Sequence, residues 1–273
     1  MVFGDISVFL FRDFWQKFPT RFYNLGICEQ AIVSVSAGLR SQGLIPFAHS
    51  INPFITERCF EQIKLDLIYN DFPINLVSCG ASFDYAWDGP THQTTGELAM
   101  LRNLPQIEVM QPGSPEELDC LLTSQYANER TSYFRLSDHS HGYSFPVSFG
   151  KGVVLQDLSA HHTVVTAGPL LKTVGPACAG LPVNLVYFHT LKPIDRALLR
   201  RFQHSHFIVV QDCHGLAESL LDLGGIRLTR IGPPEEFTLT YGTIEKIRQH
   251  VGLDTAGIRC QLEAVLNDHS QEP

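Results

Sequence analysis

Short apolar runs recur along the chain at residues 44–48, 74–79, 107–110, 132–136, 163–167, 183–188, 207–211 and 227–231. They are near-continuous instead of strictly alternating, as parallel strands covered by helices on both faces require, and each predicts a strand. Between them the apolar positions take up helical spacing with readable end signals. Ser114-Pro115-Glu116-Glu117 forms a capping box with proline at the first helical position. Lys192-Pro193-Ile194-Asp195 opens a helix running to Phe202, and Gly224-Gly225 breaks the chain before the last strand. Alternation of strand and helix predicts an α/β fold. From 137 to 162 the period lapses into Gly, Ser, His and Pro, so two doubly wound domains are expected, over residues 1–145 and 146–273.

A length of 273 residues is more than one core usually holds, in keeping with two domains, and 44% hydrophobic content excludes global disorder. Charged residues make up 18%, against roughly 25% in typical soluble domains, which points to large buried subunit contacts. The formal charge of -8, with no run of more than two basic residues, argues against nucleic acid as a partner. No apolar stretch approaches the roughly 20 residues that span a bilayer, and the run at 6–11 follows Asp5 instead of a basic cluster. A cytoplasmic protein without membrane contact is expected. The seven cysteines are widely spaced and form no Cys-x-x-Cys pair, which predicts reduced thiols. Neither Gly-x-Gly-x-x-Gly nor a Gly-Lys-Ser/Thr phosphate loop occurs, so no dinucleotide or nucleotide site is written here.

Two segments carry candidate chemistry. Residues 31–39 are apolar or small on nearly every helical face, which predicts a buried helix with Glu29 in its first turn. No basic residue stands one helical turn from Glu29. A carboxyl so placed is either protonated or hydrogen-bonded in a dry site, which raises its pKa, or it complements the positive helix N-terminus. The second segment, Asp88-Gly89-Pro90-Thr91-His92-Gln93, follows the strand at 74–79. A turn at the end of a parallel strand either presents Asp88 and His92 to a ligand or is an ordinary turn with a surface histidine.

Together these stretches resemble a known family. Phe18-Pro19-Thr20-Arg21-Phe22-Tyr23-Asn24-Leu25-Gly26-Ile27-Cys28-Glu29-Gln30, Phe54-Ile55-Thr56-Glu57-Arg58-Cys59-Phe60-Glu61-Gln62-Ile63, the Asp88 segment and Val109-Met110-Gln111-Pro112, in this order, resemble the pyrimidine-binding domain of transketolases and deoxyxylulose-phosphate synthases. Leu191-Lys192-Pro193-Ile194-Asp195 and Phe207-Ile208-Val209-Val210-Gln211-Asp212 look like the C-terminal domain of the same enzymes. The resemblance implies thiamine diphosphate as cofactor. Glu29 matches the glutamate that hydrogen-bonds the aminopyrimidine and promotes loss of the thiazolium proton. Phe54 and Phe60 fall where the family sets aromatics against the pyrimidine, or belong to the core. His92 matches the substrate-facing histidine and Asp88 the carboxylate near the sugar hydroxyls. Arg135 matches the phosphate-binding arginine, or makes a structural ion pair.

Three departures refine what the resemblance implies. No basic residue precedes Asp88 where the family has its second phosphate ligand; Phe83, Tyr85 and Trp87 stand nearby as an uncharged channel wall. The chain starts at what looks like the end of the first strand, leaving a sheet edge there for a partner to cover. No Gly-Asp-Gly with a distant Asn-Asn, the family's magnesium and diphosphate motif, is found. The expectation is the C-terminal subunit of a split transketolase, moving a two-carbon ketol unit from a ketose to an aldehyde. A diphosphate-binding N-terminal-type subunit would supply the Mg2+ ligands, with two copies of each chain in a heterotetramer. The alternatives are a beta subunit of a 2-oxo acid dehydrogenase and a non-catalytic scaffold.

Overall fold

The computed structural model describes residues 1–268. Two sheets carry the strands β1 (Val2–Phe3), β2 (Tyr23–Asn24), β3 (Phe47–Ile51), β4 (Asn75–Cys79), β5 (Ile107–Met110), β6 (Thr131–Arg135), β7 (Gly152–Gln156), β8 (His162–Ala167), β9 (Asn184–Phe188), β10 (Thr190–Lys192), β11 (His206–Val210) and β12 (Arg227–Ile231). The first sheet has the order β10-β5-β6-β4-β3-β1-β2 and the second β12-β11-β8-β9-β7. Within each, only the strand at one edge is antiparallel, β10 against β5 and β7 against β9. The remaining pairs are parallel. An α/β fold with two mainly parallel sheets is therefore observed, as the apolar runs predicted. Among the described residues no helix is long and apolar enough to cross a membrane.

The predicted runs fall on β3, β4, β5, β6, β8, β9, β11 and β12, with β3 shifted toward its C-terminus because Leu44 and Ile45 face solvent. β1 falls at the start of the chain, where the end of a first strand was expected, whereas the short strands β2 and β10 and the edge strand β7 were not expected. β7 lies in the stretch whose apolar period lapsed, because an antiparallel edge strand is covered by a neighbour on one side only. β10 leaves the second sheet directly after β9 and completes the first, where Lys192 Nζ donates to the carbonyls of Arg102 (2.8 Å) and Leu104. The two sheets also share a core, in which Val165, Phe188 and Phe207 of the second join Leu101, Val109 and Leu198.

Local signals act largely as read. Ser114 Oγ accepts from the Glu117 N–H at 3.3 Å at the start of the helix Pro115–Gln125, while Glu117 reaches past the cap to the Gly113 N–H at 2.7 Å. Asp195 caps the helix Arg196–Arg201 through the Leu198 N–H.

Two expectations fail. The helix Glu29–Ser41 is buried on one face only, through Glu29, Ile32, Val33, Ser36 and Ala37. Its opposite face, Ala31, Val35 and Gly38, is small or apolar but exposed, since an all-apolar pattern does not say which faces one chain can cover. The start of the chain leaves no edge at β1, which pairs on both sides with β3 and β2; the edge is β2.

Candidate active site

Glu29 is the first residue of the helix Glu29–Ser41 and sits beside the C-terminal half of β3, where parallel sheets present their ligands. It is 1% exposed. Its Oε1 accepts from Ser50 Oγ at 2.9 Å and its Oε2 from Arg58 Nη1 at 2.7 Å. The expectation of a carboxylate without a neutralising cation is thus overturned: the cation comes from Arg58, distant in sequence, after the turn Asn52–Ile55 that ends β3. A search one helical turn either way cannot see a partner brought in by strand topology.

Arg58 also lies over the ring of Phe54, 4.3 Å from its centroid, a cation–π geometry. His92 approaches Phe54 edge-on at 5.1 Å between centroids, and Tyr85 lies 6.0 Å from the same imidazole. His92 Nδ1 is 2.9 Å from Thr91 Oγ1 on the short turn Gly89–Thr91, which fixes the ring. Glu29, Arg58, Phe54, His92 and Tyr85 therefore form one linked group. Asp88 stands exposed at the head of that turn. Phe60 packs on the first core cluster, so of the two phenylalanines only Phe54 joins the group.

The proposed aromatic wall does not form. Phe83 is buried in the core of the second sheet and Trp87 points outward at 75% exposure, leaving Tyr85 alone near His92. The thiol of Cys59 is pushed up to about 12, chiefly by burial and then by the charge of Glu29, with Arg58 opposing. Burial likewise raises the Tyr85 phenol, and the neighbouring Cys79 adds to it.

Arg135 occupies a different place from the one expected. Its side chain is fully buried, with Nε 2.5 Å from Glu97 Oε1, Nη2 2.7 Å from Ser82 Oγ, and Asp212 at 3.8 Å. Glu97 accepts further from Asn52 (3.0 Å), Thr94 (3.0 Å) and Cys213 (2.9 Å). A phosphate could approach only by opening this cluster, so the phosphate-binding role is corrected to a structural ion pair. Burial alone raises the Glu97 carboxyl, but the charge and hydrogen bond of Arg135 more than reverse that, and it ionises below its ordinary value. Thr94 also donates to Glu57, whose carboxyl is raised by burial, against that hydrogen bond and with a smaller push from Glu97. Asp212 and Cys213 follow β11, so this network ties the second sheet to the first.

Sequence reasoning missed Arg58, Ser50 and Glu97 as members of these clusters. Arg58 stands in the quoted motif four positions after Phe54, a spacing that brings side chains together on a helical turn. Nothing local marks Ser50 or Glu97.

A family model described as "Transketolase, pyrimidine binding domain" matches residues 8–141. A protein of Rhodococcoides fascians, described as an uncharacterized 33.6 kDa protein in the fasciation locus, is 33% identical over 277 residues, 97% of this chain and 88% of its own. The 1-deoxy-D-xylulose-5-phosphate synthase of Syntrophus aciditrophicus is 28% identical over 275 residues, covering 93% of this chain. The chain spans only 42% of that synthase's length. Among solved structures, one titled "Split gene transketolase, inactive beta4 tetramer" superposes with a TM-score of 0.83 at 25% identity, over 98% of this chain and 92% of its own. The transketolase of Campylobacter jejuni shares the fold, with a TM-score of 0.77 at 18% identity over 89% of this chain and 39% of its own.

Proposed function

The chain belongs to the transketolase family through its pyrimidine-binding domain, and on that premise we propose that it is one component of a two-chain, thiamine-diphosphate-dependent enzyme that transfers a ketol unit from a ketose to an aldehyde. The observation that carries the reading is the pairing of a buried carboxylate, Glu29, with an aromatic face, Phe54, both engaged by one flat cation. A planar nitrogen heterocycle makes the same two demands, a surface to stack on and an acceptor for its N–H. Arg58 can yield that place because its side chain is 38% exposed and leaves toward water. The residues present therefore fit the aminopyrimidine. When bound, thiamine diphosphate supplies an electron sink for a carbanion.

The chain's own residues then have definable tasks. Glu29 holds a proton shared with a ring nitrogen, in a site dry enough for that hydrogen bond to be strong. Ser50 keeps Oε1 engaged and so aims Oε2. Phe54 supplies the stacking face. His92, fixed by Thr91, and Asp88 on the same turn face the sugar. Magnesium does not fit the residues present: among the described residues no three His, Cys, Asp or Glu side chains come together to hold a metal ion. We assign the metal and diphosphate contacts to a second, N-terminal-type chain, in a tetramer with two copies of each. Support comes from the greater length of the synthases, the split-gene relative, and the exposed apolar Phe9, Leu10 and Ile27.

Calorimetric titration of thiamine diphosphate tests the split site. Weak binding to this chain alone and tight binding with the second chain are expected; tight binding by this chain alone contradicts the assignment. With the assembled enzyme, ketose-dependent transfer to an aldehyde is expected, and oxidation of pyruvate with an electron acceptor instead rejects ketol transfer.

A further inference from the structure

We propose that the cleft between the helices Leu171–Cys178, Ile244–His250 and Thr255–Asp268 is a binding site for a small oxyanion, a phosphate or carboxylate group held by Arg248. The cleft has a volume of about 700 Å³, and none of its lining residues belongs to the Glu29 group. Arg248 is 7% exposed, and its Nε is buried without any hydrogen-bond partner. Among the described residues its guanidinium makes no hydrogen bond or ion pair. Guanidinium is all donors and stays charged at any ordinary pH, so burying it unmatched is costly, and native structures rarely leave such a group alone. A planar fork of N–H groups facing a cleft matches the oxygens of phosphate or carboxylate.

The other charges in the cleft leave this role to Arg248. Arg259 is already engaged, its Nε by Glu263 at 2.8 Å and its Nη1 by the carbonyl of Ala179 at 2.6 Å. Asp254 turns its carboxylate to the Gly257 N–H at 3.1 Å. Glu245 is exposed and feels the charge of Arg248, but water screens both that attraction and its repulsion of an anion, whereas Arg248 Nε is buried. Lys172 stands on the solvent side of the same cleft and adds positive charge. The first turn of the helix Thr255–Asp268 also lines it, presenting the positive end of the helix dipole.

Thermal unfolding of the full chain in phosphate, acetate or chloride at equal ionic strength tests the site. Phosphate or acetate is expected to raise the unfolding midpoint saturably by several degrees over chloride; which of them does so identifies the oxyanion. Arg248→Met keeps the apolar stem and removes the donors. It is expected to unfold at a higher temperature than wild type in chloride, because an unmatched buried charge is gone, and to lose the anion response. No saturable shift with either anion, or a shift that persists in Arg248→Met, overturns the proposal. Should that variant fail to fold, Lys172→Met at the exposed side is expected to weaken phosphate binding several-fold, read by 31P line broadening, and an unchanged affinity overturns the proposal.

Discussion

Arg135→Met removes a cation from a fully enclosed charge cluster and leaves Glu97 without its principal partner. Both side chains are 0% exposed, so water cannot step in. Breaking one side of a buried ion pair typically costs about 3–5 kcal/mol. Here Asn52, Thr94 and Cys213 go on donating to Glu97, which puts the expected loss near the lower figure, about 3 kcal/mol. For a chain of this size that is a fall in unfolding midpoint of roughly 6–10 °C.

The pH dependence has a definite sign. In wild type the Glu97 carboxyl is depressed, so its contribution is fully present above the unfolded value of about 4.3 and is lost as pH falls through the folded value. In the variant burial is opposed only by the hydrogen bonds from Asn52, Thr94 and Cys213, so the carboxyl is raised, and stability instead falls as pH rises through that raised value. The gap between wild type and variant should therefore be widest at neutral pH and shrink toward pH 4. Thermal unfolding across this range measures it. A gap below about 1 kcal/mol, or one that does not change with pH, refutes the buried-pair reasoning. In the assembled enzyme the folded variant should keep the KM for a phosphorylated substrate, since Arg135 cannot reach one.

Arg58→Met should lower stability by about 1 kcal/mol, a charge-assisted hydrogen bond discounted because Arg58 is partly exposed, as urea unfolding would show. It should also tighten cofactor binding in the assembled enzyme, because the heterocycle no longer displaces a cation; weaker binding by calorimetry contradicts the placeholder role. At pH 8 the exposed Cys28, Cys120 and Cys260 should alkylate quickly in the native chain. Cys59 and Cys178, both pushed up to about 12 chiefly by burial, should react only after unfolding, as peptide mapping by mass spectrometry would show.

The fold was legible where burial on both faces made strands continuously apolar, as in β4, β8, β9 and β11. β10 escaped notice because Thr190 and Lys192 are polar and the strand gains its place through a crossover to the other sheet. Caps at Ser114 and Asp195 were readable because they are settled within a few residues. Glu29 and His92 were found from their motifs, and the structure brings them into one group through Phe54. Arg58 and Glu97 were not, because each pairs with a residue that only the tertiary fold makes a neighbour. Arg135 shows the converse error: a forked donor at a strand end suits phosphate, and nothing in Tyr133-Phe134-Arg135-Leu136 reveals that Glu97 has already filled it.

Proton exchange at the thiazolium carbon of thiamine diphosphate, followed by NMR in deuterated buffer, is the most direct measure of whether Glu29 acts on the cofactor. With the two chains assembled, wild type should exchange that proton rapidly and Glu29→Gln should slow it by at least about 100-fold, at the low end of what a positioned acid–base group contributes. Equal exchange rates in the two proteins would contradict the account, because the carboxyl would then be no more than a helix-end charge neutralised by Arg58.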